Sequence, residues 1–284
     1  MNSFRYILSI VCLAIGFQSL KAQSAKNYTN LQQALVVPDS VEWLTLREQQ
    51  LKTFPEEILK FKNLKYLDLS NNRIQAIPEK ISSLKNLFYL DLSGNDIAGL
   101  PKTMSQMTSL RNLYLGYNQP HNLSQDFETL AALPLLRVLN IKGDSISVLP
   151  QNIGKIKSLE YLELSENTIR MLPAEFSNLK NLQVLYINND RLFDFSANLP
   201  ILSKLPKLKE LHLEGDHFSY VPSEIKYLTS LERLHLGNNT LQELPQEVFQ
   251  LKKLQYIDVS NNRMPNILLD QYRDDLAPSI KIQF

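Results

Sequence analysis

The chain has 284 residues, 44% of them apolar and 21% charged, with 30 Lys and Arg against 29 Asp and Glu and a formal charge of +1. That balance lacks the basic excess of a nucleic-acid footprint and the low hydrophobicity of a disordered chain. One Cys leaves no disulfide framework within the chain, and the length suffices for a continuous core.

In chain order, residues 1–22 come first. They hold an early Arg5, an apolar run over 6–17 and a polar stretch ending in Ala22. This is the form of a secretory signal peptide, with cleavage expected near Ala22. The 12-residue run is too short to span a bilayer, so no transmembrane span is expected in the mature chain. Cys12 lies in that run behind Ser9-Ile10-Val11, which lacks the small residue a lipoprotein signal places beside its Cys. Cleavage would remove the only thiol along with Arg5 and Lys21, leaving 28 basic and 29 acidic residues. Export without cysteines points to a bacterial protein that is periplasmic, surface-bound or released. The sequons at Asn27, Asn122 and Asn238 are read as chance.

Residues 23–40 are expected to form an N-terminal cap. Thr29-x-x-Gln32 has capping-box spacing for a helix over 30–35.

From residue 41 the chain repeats itself. Units begin at Val41, Leu64, Leu87, Leu110, Leu136, Leu159, Leu182, Leu208, Leu231 and Leu254. Seven intervals are 23 residues; those from Leu110 and Leu182 are 26. The frame is LxxLxLxxNxIxxLPxxIxxLxx. Positions 3 to 7 alternate with the period of a strand, as in Tyr66-Leu67-Asp68-Leu69-Ser70. Position 9 is Asn72, Asn95, Asn118, Asn167, Asn239 and Asn262. An Asn amide donates and accepts, so stacked copies form a structural ladder where the chain leaves each strand. Gln49, Asp144, Asp190 and Asp216 break it, read either as drift or as a local calcium or partner site. Position 15 is Pro in seven units, which suits the first turn of a short helix. One unit cannot bury its own apolar face, so the units must stack.

On these residues the sequence resembles the leucine-rich-repeat family, 23-residue LPxxI class, over about residues 41–265. The resemblance implies an α/β fold: a right-handed leucine-rich-repeat solenoid, or horseshoe, with a parallel concave sheet and short convex helices or turns. The right hand also follows from the crossover rule for parallel strands. Animal and plant extracellular members close their ends with Cys-rich caps, which this chain lacks, so the resemblance is to a secreted bacterial type. The terminal "IKIQF", 280–284, alternates like a last strand, so residues 41–284 are expected to be one domain of ten repeats plus that strand.

A longer period overlies the short one. The blocks 110–181 and 182–253 match beyond the frame, Tyr114 with Tyr186, Ser124 with Ser196 and Asp144 with Asp216. Pro278 falls at the same offset again. This is read as a duplicated three-unit block with a partial third copy. The 26-residue units carry Ser at position 15, which can N-cap a longer convex helix.

Positions 2, 3, 5, 7 and 8 face the concave side, free of the frame. Candidate ligand-binding residues there are Tyr66, Tyr89, Tyr114, Tyr117, Tyr161 and Tyr186, with Asp68, Asp91 and Arg111 to orient a partner by charge. Tyr supplies large contact area at low entropy cost; it also suits exposed strands for its own sake. Because these positions are read as solvent-facing, Tyr114→Ala is expected to weaken binding without changing stability. His212 and His235 share a column on adjacent strands, a weak metal candidate with Glu214 or Asp258 nearby, or two solvated histidines. No nucleophile elbow, P-loop or His-Glu metal helix is present, and Asp68 and Asp91 lie on an open sheet, so no enzyme activity and no cofactor are expected. The expected function is a non-catalytic secreted module binding a protein, peptide or glycan and no nucleic acid. The alternatives are a cytosolic signalling scaffold like the family's Ras-group members, or a structural cell-envelope protein. The ligand and the oligomeric state stay open.

Overall fold

In the computed structural model, residues 26–118, 122–275 and 280–284 are described. Residues 1–22, where the signal peptide and its cleavage site are expected, with Cys12, and Pro278 lie outside them.

The alternation at positions 3 to 5 becomes a three-residue strand in each unit, because the buried Leu at position 4 anchors one face. These are β2 (Trp43–Thr45), β3 (Tyr66–Asp68), β4 (Tyr89–Asp91), β5 (Asn112–Tyr114), β6 (Val138–Asn140), β7 (Tyr161–Glu163), β8 (Val184–Tyr186), β9 (Glu210–His212), β10 (Arg233–His235) and β11 (Tyr256–Asp258). Two more close the sheet, β1 (Asn27–Tyr28) and β12 (Lys281–Gln283). All twelve form one parallel sheet in chain order. "IKIQF" foretells β12. The leucine frame does not foretell β1, which is two residues long and carries no Leu. It pairs with β2, covering the backbone edge that the first repeat would otherwise expose.

The strands pair in the register of the repeat, Tyr66 opposite Tyr89 and Asp68 opposite Asp91. One continuous core runs beneath them, with Leu44, Leu67, Leu90, Leu113 and their successors at 0% exposure. Fully burying one such Leu contributes about 2 kcal/mol, and each unit buries several only against its neighbours.

The return path depends on unit length. Where Pro stands at position 15, a five-residue 3-10 helix follows, as at Glu56–Lys60, Glu79–Ser83 and Ala174–Asn178. The Pro is the residue before the helix, not its first turn: its carbonyl accepts the closing bond, as in Ile81 N–H to Pro78 O at 2.9 Å. The units that begin at Leu110, Leu182 and Leu254 carry α-helices instead: α2 (Leu123–Ala131), α3 (Phe195–Leu202) and α4 (Asn266–Asp275). Their near-72-residue spacing repeats the long period of the sequence. The expected Ser caps are displaced. Asn122 accepts from Gln125 N–H and Asp194 from Ala197 N–H, so Ser124 and Ser196 lie inside the helices. Asx side chains two residues earlier win because their carboxyl or amide oxygen reaches the free first-turn N–H groups. At the N-terminus α1 (Leu31–Leu35) is capped by Asn30, one residue after the Thr29 of the expected capping box, and buries Ala34.

Position 9 explains the turn off the strand. Asn167 Nδ2 donates to the carbonyls of Ile141, Leu164 and Ser165, while its Oδ1 accepts from Asp144 and Ile146 N–H. Asn72, Asn95, Asn118, Asn239 and Asn262 make the same reach to neighbouring units. At Asp190 the Oδ1 role survives, accepting from Ile169 N–H at 2.8 Å. Position 8 is not free, contrary to the sequence reading. Every unit places it at positive φ: Glu48, Asn71, Gly94, Tyr117, Gly143, Glu166, Asn189, Gly215, Asn238 and Asn261.

Candidate functional site

The side chains at positions 3 and 5 do not stand apart in solvent. Strands about 4.8 Å apart bring equivalent rings to stacking distance. Trp43 stacks on Tyr66 at 4.7 Å between centroids, Tyr66 on Tyr89 at 4.2 Å, and Tyr89 leans on Tyr114 at 5.2 Å. Further along, Tyr161 meets Tyr186 at 5.3 Å, Tyr186 stacks on His212 at 3.7 Å, His212 on His235 at 3.9 Å, and His235 meets Tyr256 at 5.1 Å. Val138 and Val184 join the two stacks into one cluster on the outer side of the sheet. The result is a ribbon across the concave face from β2 to β11.

Stacking corrects the expected exposure. Tyr89, Tyr114 and Tyr161 are all below a tenth exposed, as are Asp68 and Asp91. Burial pushes the phenols of Tyr66, Tyr89, Tyr161 and Tyr186 up, so they stay neutral. Asp91 is pushed up to about 6, first by burial and then by Asp68. Both aspartates serve the backbone: Asp68 Oδ1 accepts from Ser70 N–H and O–H, and Asp91 Oδ1 from Ser93 N–H. Tyr117 is not part of the ribbon. Its positive φ turns it away, half-exposed, with its hydroxyl donating to Glu166 at 2.7 Å and Lys142 over its ring. Arg111 is exposed beside the ribbon.

The histidine column is more elaborate than two imidazoles. His212 Nε2 lies 2.9 Å from Glu210 Oε1 and its Nδ1 lies 3.3 Å from Glu214 Oε2. Burial alone would lower the His212 pKa, but the bonds to Glu210 and Glu214 outweigh it and the net shift is upward. Burial likewise opposes ionisation of Glu210, and the two histidines overcome it, holding the carboxyl below its usual range. His235 Nε2 sits 3.5 Å from the same Glu210 oxygen, within ion-pair range, yet is buried without a hydrogen-bond partner. Glu210 is not among the residues the sequence singles out. The signal was there: positions 3 and 5 of one strand share a face, and position 5 of the next unit stands alongside.

The leucine-rich repeat region family matches residues 39–141, 119–205 and 193–271, and the chain belongs to this family. No curated protein matches the chain by sequence. Among solved structures, an internalin from Listeria monocytogenes is 21% identical, with 90% of this chain and 71% of that one covered and a TM-score of 0.67. The receptor of a TLR13–ssRNA13 complex is 26% identical over 86% of this chain and 37% of its own, with a TM-score of 0.71. A TDR receptor is 23% identical over 88% and 44%, with a TM-score of 0.62. The chain thus spans less than half the length of either receptor. The fold is the right-handed repeat solenoid expected, of a kind typical of binding modules.

Proposed function

We propose that this chain is a non-catalytic binding module that holds a protein or peptide on its concave face. In this reading it is a secreted bacterial member of the 23-residue LPxxI class, exported by residues 1–22, with 23–40 as the cap and 41–284 as the repeat domain. The supporting observation is the aromatic ribbon. It is preorganised, so a partner meets rings already fixed and costs little side-chain entropy on binding. The mature balance of 28 basic and 29 acidic residues favours a polypeptide over a nucleic acid, even though one structural relative is seen with ssRNA.

The test is capture by purified residues 23–284 from host and bacterial surface fractions, with a glycan array and single-stranded RNA in parallel. Once a partner is in hand, Tyr66→Ala should weaken binding by about 2 kcal/mol or more at a hot spot, while the convex Lys155→Ala should not. Tyr66 is a cleaner probe than Tyr114, because truncating the latter opens a nearly buried stack and is expected to lower thermal stability too. Loss of binding in convex or α2 variants, with ribbon variants intact, refutes the reading. N-terminal sequencing of the exported protein tests cleavage near Ala22.

A further inference from the structure

Three groups stand apart from the aromatic ribbon: the buried aspartates of the position-9 ladder, the exposed Tyr117–Glu166–Lys142 group, and the ionisable cluster on β9 and β10. The last goes furthest. We infer that Glu210, His212 and His235 form a binding site for a first-row divalent metal ion of the zinc type.

The donor atoms of these three side chains all lie within 4.8 Å of one another. Two imidazole nitrogens and one carboxylate are the donor set that favours zinc, cobalt or nickel over calcium or magnesium, which prefer all-oxygen shells. Donors at zinc–nitrogen distances of about 2.0–2.1 Å in tetrahedral array stand about 3.3 Å apart. The separations from Glu210 Oε1 bracket that value, 2.9 Å to His212 Nε2 and 3.5 Å to His235 Nε2. The outer partner is also in place. Glu214 Oε2 sits 3.3 Å from His212 Nδ1, a carboxylate that would keep the proton on Nδ1 once a metal ion displaces the proton Nε2 shares with Glu210.

The observation that points to a missing ligand is His235. Its Nε2 is buried, makes no hydrogen bond and meets Glu210 Oε1 only at 3.5 Å, a weak contact for a buried polar atom that a ligand bond would replace. A structural ion network accounts for Glu210 with His212 and for Arg233, whose guanidinium lies 3.4 Å from the second Glu210 oxygen. His235 belongs to the same network only through the long 3.5 Å contact of its Nε2 with Glu210 Oε1. The two rings are stacked at 3.9 Å and 11° between planes. One of them must turn about its Cβ–Cγ bond to aim its lone pair at a shared ion, so metal binding should loosen the Tyr186–His212–His235 stack. Three protein ligands leave a fourth coordination position, and these strands form the concave face. The site stands whether or not that face binds a polypeptide.

The experiment is isothermal titration of purified, chelator-treated residues 23–284 with zinc chloride, alongside thermal melts and cobalt(II) absorption spectra. Expected are one ion per chain with Kd at or below about 10 μM, a rise in melting temperature, and visible cobalt bands of four-coordinate intensity. Glu210→Gln and His235→Ala should each weaken zinc binding at least about tenfold, and exposed His217→Asn should not. Millimolar calcium and magnesium should not compete. Wild-type protein that binds zinc no tighter than about 1 mM, or that binds equally well in His235→Ala, overturns the site. Should a variant fail to fold, the stoichiometry and the cobalt spectrum of the wild-type protein decide alone.

Discussion

At the scale of single residues, one position can make or break a turn. Asn167 holds five backbone groups at 5% exposure, so Asn167→Ala is expected to cost about 3 kcal/mol in urea denaturation, the upper end for stranded buried polar groups. That requirement was legible, because an Asn amide offers two N–H donors and a carbonyl acceptor on one short side chain. The neighbouring requirement was not: position 8 carries Gly or Asn in seven units but Glu48, Tyr117 and Glu166 in three, and a frame built on leucines is blind to φ. Glu48→Gly relieves a left-handed non-Gly residue and should stabilise by about 1 kcal/mol, since the exposed Arg47–Glu48 pair it removes is worth little. The same rule makes Asn238→Ala costlier than an ordinary surface change, with φ at 57°. Asp190 adds a pH dependence. Burial pushes its carboxyl up to about 7 from the ordinary 3.8, against the pull of the backbone N–H groups it accepts from. Its Oδ2 is buried without a partner where Asn carries its donor. The folded state therefore keeps the proton longer than the unfolded one. Its contribution is full below 3.8 and is lost as pH rises from 3.8 to about 7. Asp190→Asn supplies the hydrogen at every pH. Urea melts should show a gain on the order of 1–3 kcal/mol at pH 8 and little at pH 4. A gain independent of pH would mean that the carboxyl is ionised in both states.

At the scale of elements, unit length decides the helix type. Three extra residues and the loss of Pro at position 15 convert a 3-10 turn into α2 and α3. Each then lends a buried side chain to the unit before it: Asp126 Oδ1 accepts from Leu100 N–H and Asn198 Oδ1 from Leu172 N–H. In α4 a different residue serves the same place, Tyr272, whose hydroxyl oxygen accepts from Leu244 N–H at 2.8 Å. The longer helices were legible from the interval. Their caps were not, because the frame fixed attention on position 15 while the capping oxygen sits at position 13. Asp194→Ala is expected to cost about 1 kcal/mol and Ser196→Ala much less, read from thermal melts of the two variants. Equal losses would restore Ser196 as the cap. The ribbon stands between these cases. Its residues were legible as a column, yet their mutual burial was not, since exposure depends on what lies one strand away.

At the scale of the whole molecule, the 72-residue period makes a claim that single substitutions cannot reach. If three units are the true building block, removing residues 110–181 joins two solenoid halves in phase. A 26-residue unit then replaces a 26-residue unit. Each contact at the new junction has a counterpart. Tyr186 takes the place of Tyr114 beside Tyr89, α3 takes the place of α2, and Asn198 stands where Asp126 caps Leu100 N–H. In a solenoid, stability is close to a sum of unit and nearest-neighbour interface contributions. The shortened chain should therefore fold cooperatively, with an unchanged circular-dichroism shape, a lower melting temperature and a smaller denaturant slope in proportion to the surface lost. Removing residues 110–170 takes out nearly as much chain but sets the leucine frame out of phase, sending core residues to the surface. That variant should not give a cooperative transition. If both deletions fold, or neither does, the three-unit block is only a resemblance between neighbours, and the strand-by-strand register alone organises the molecule.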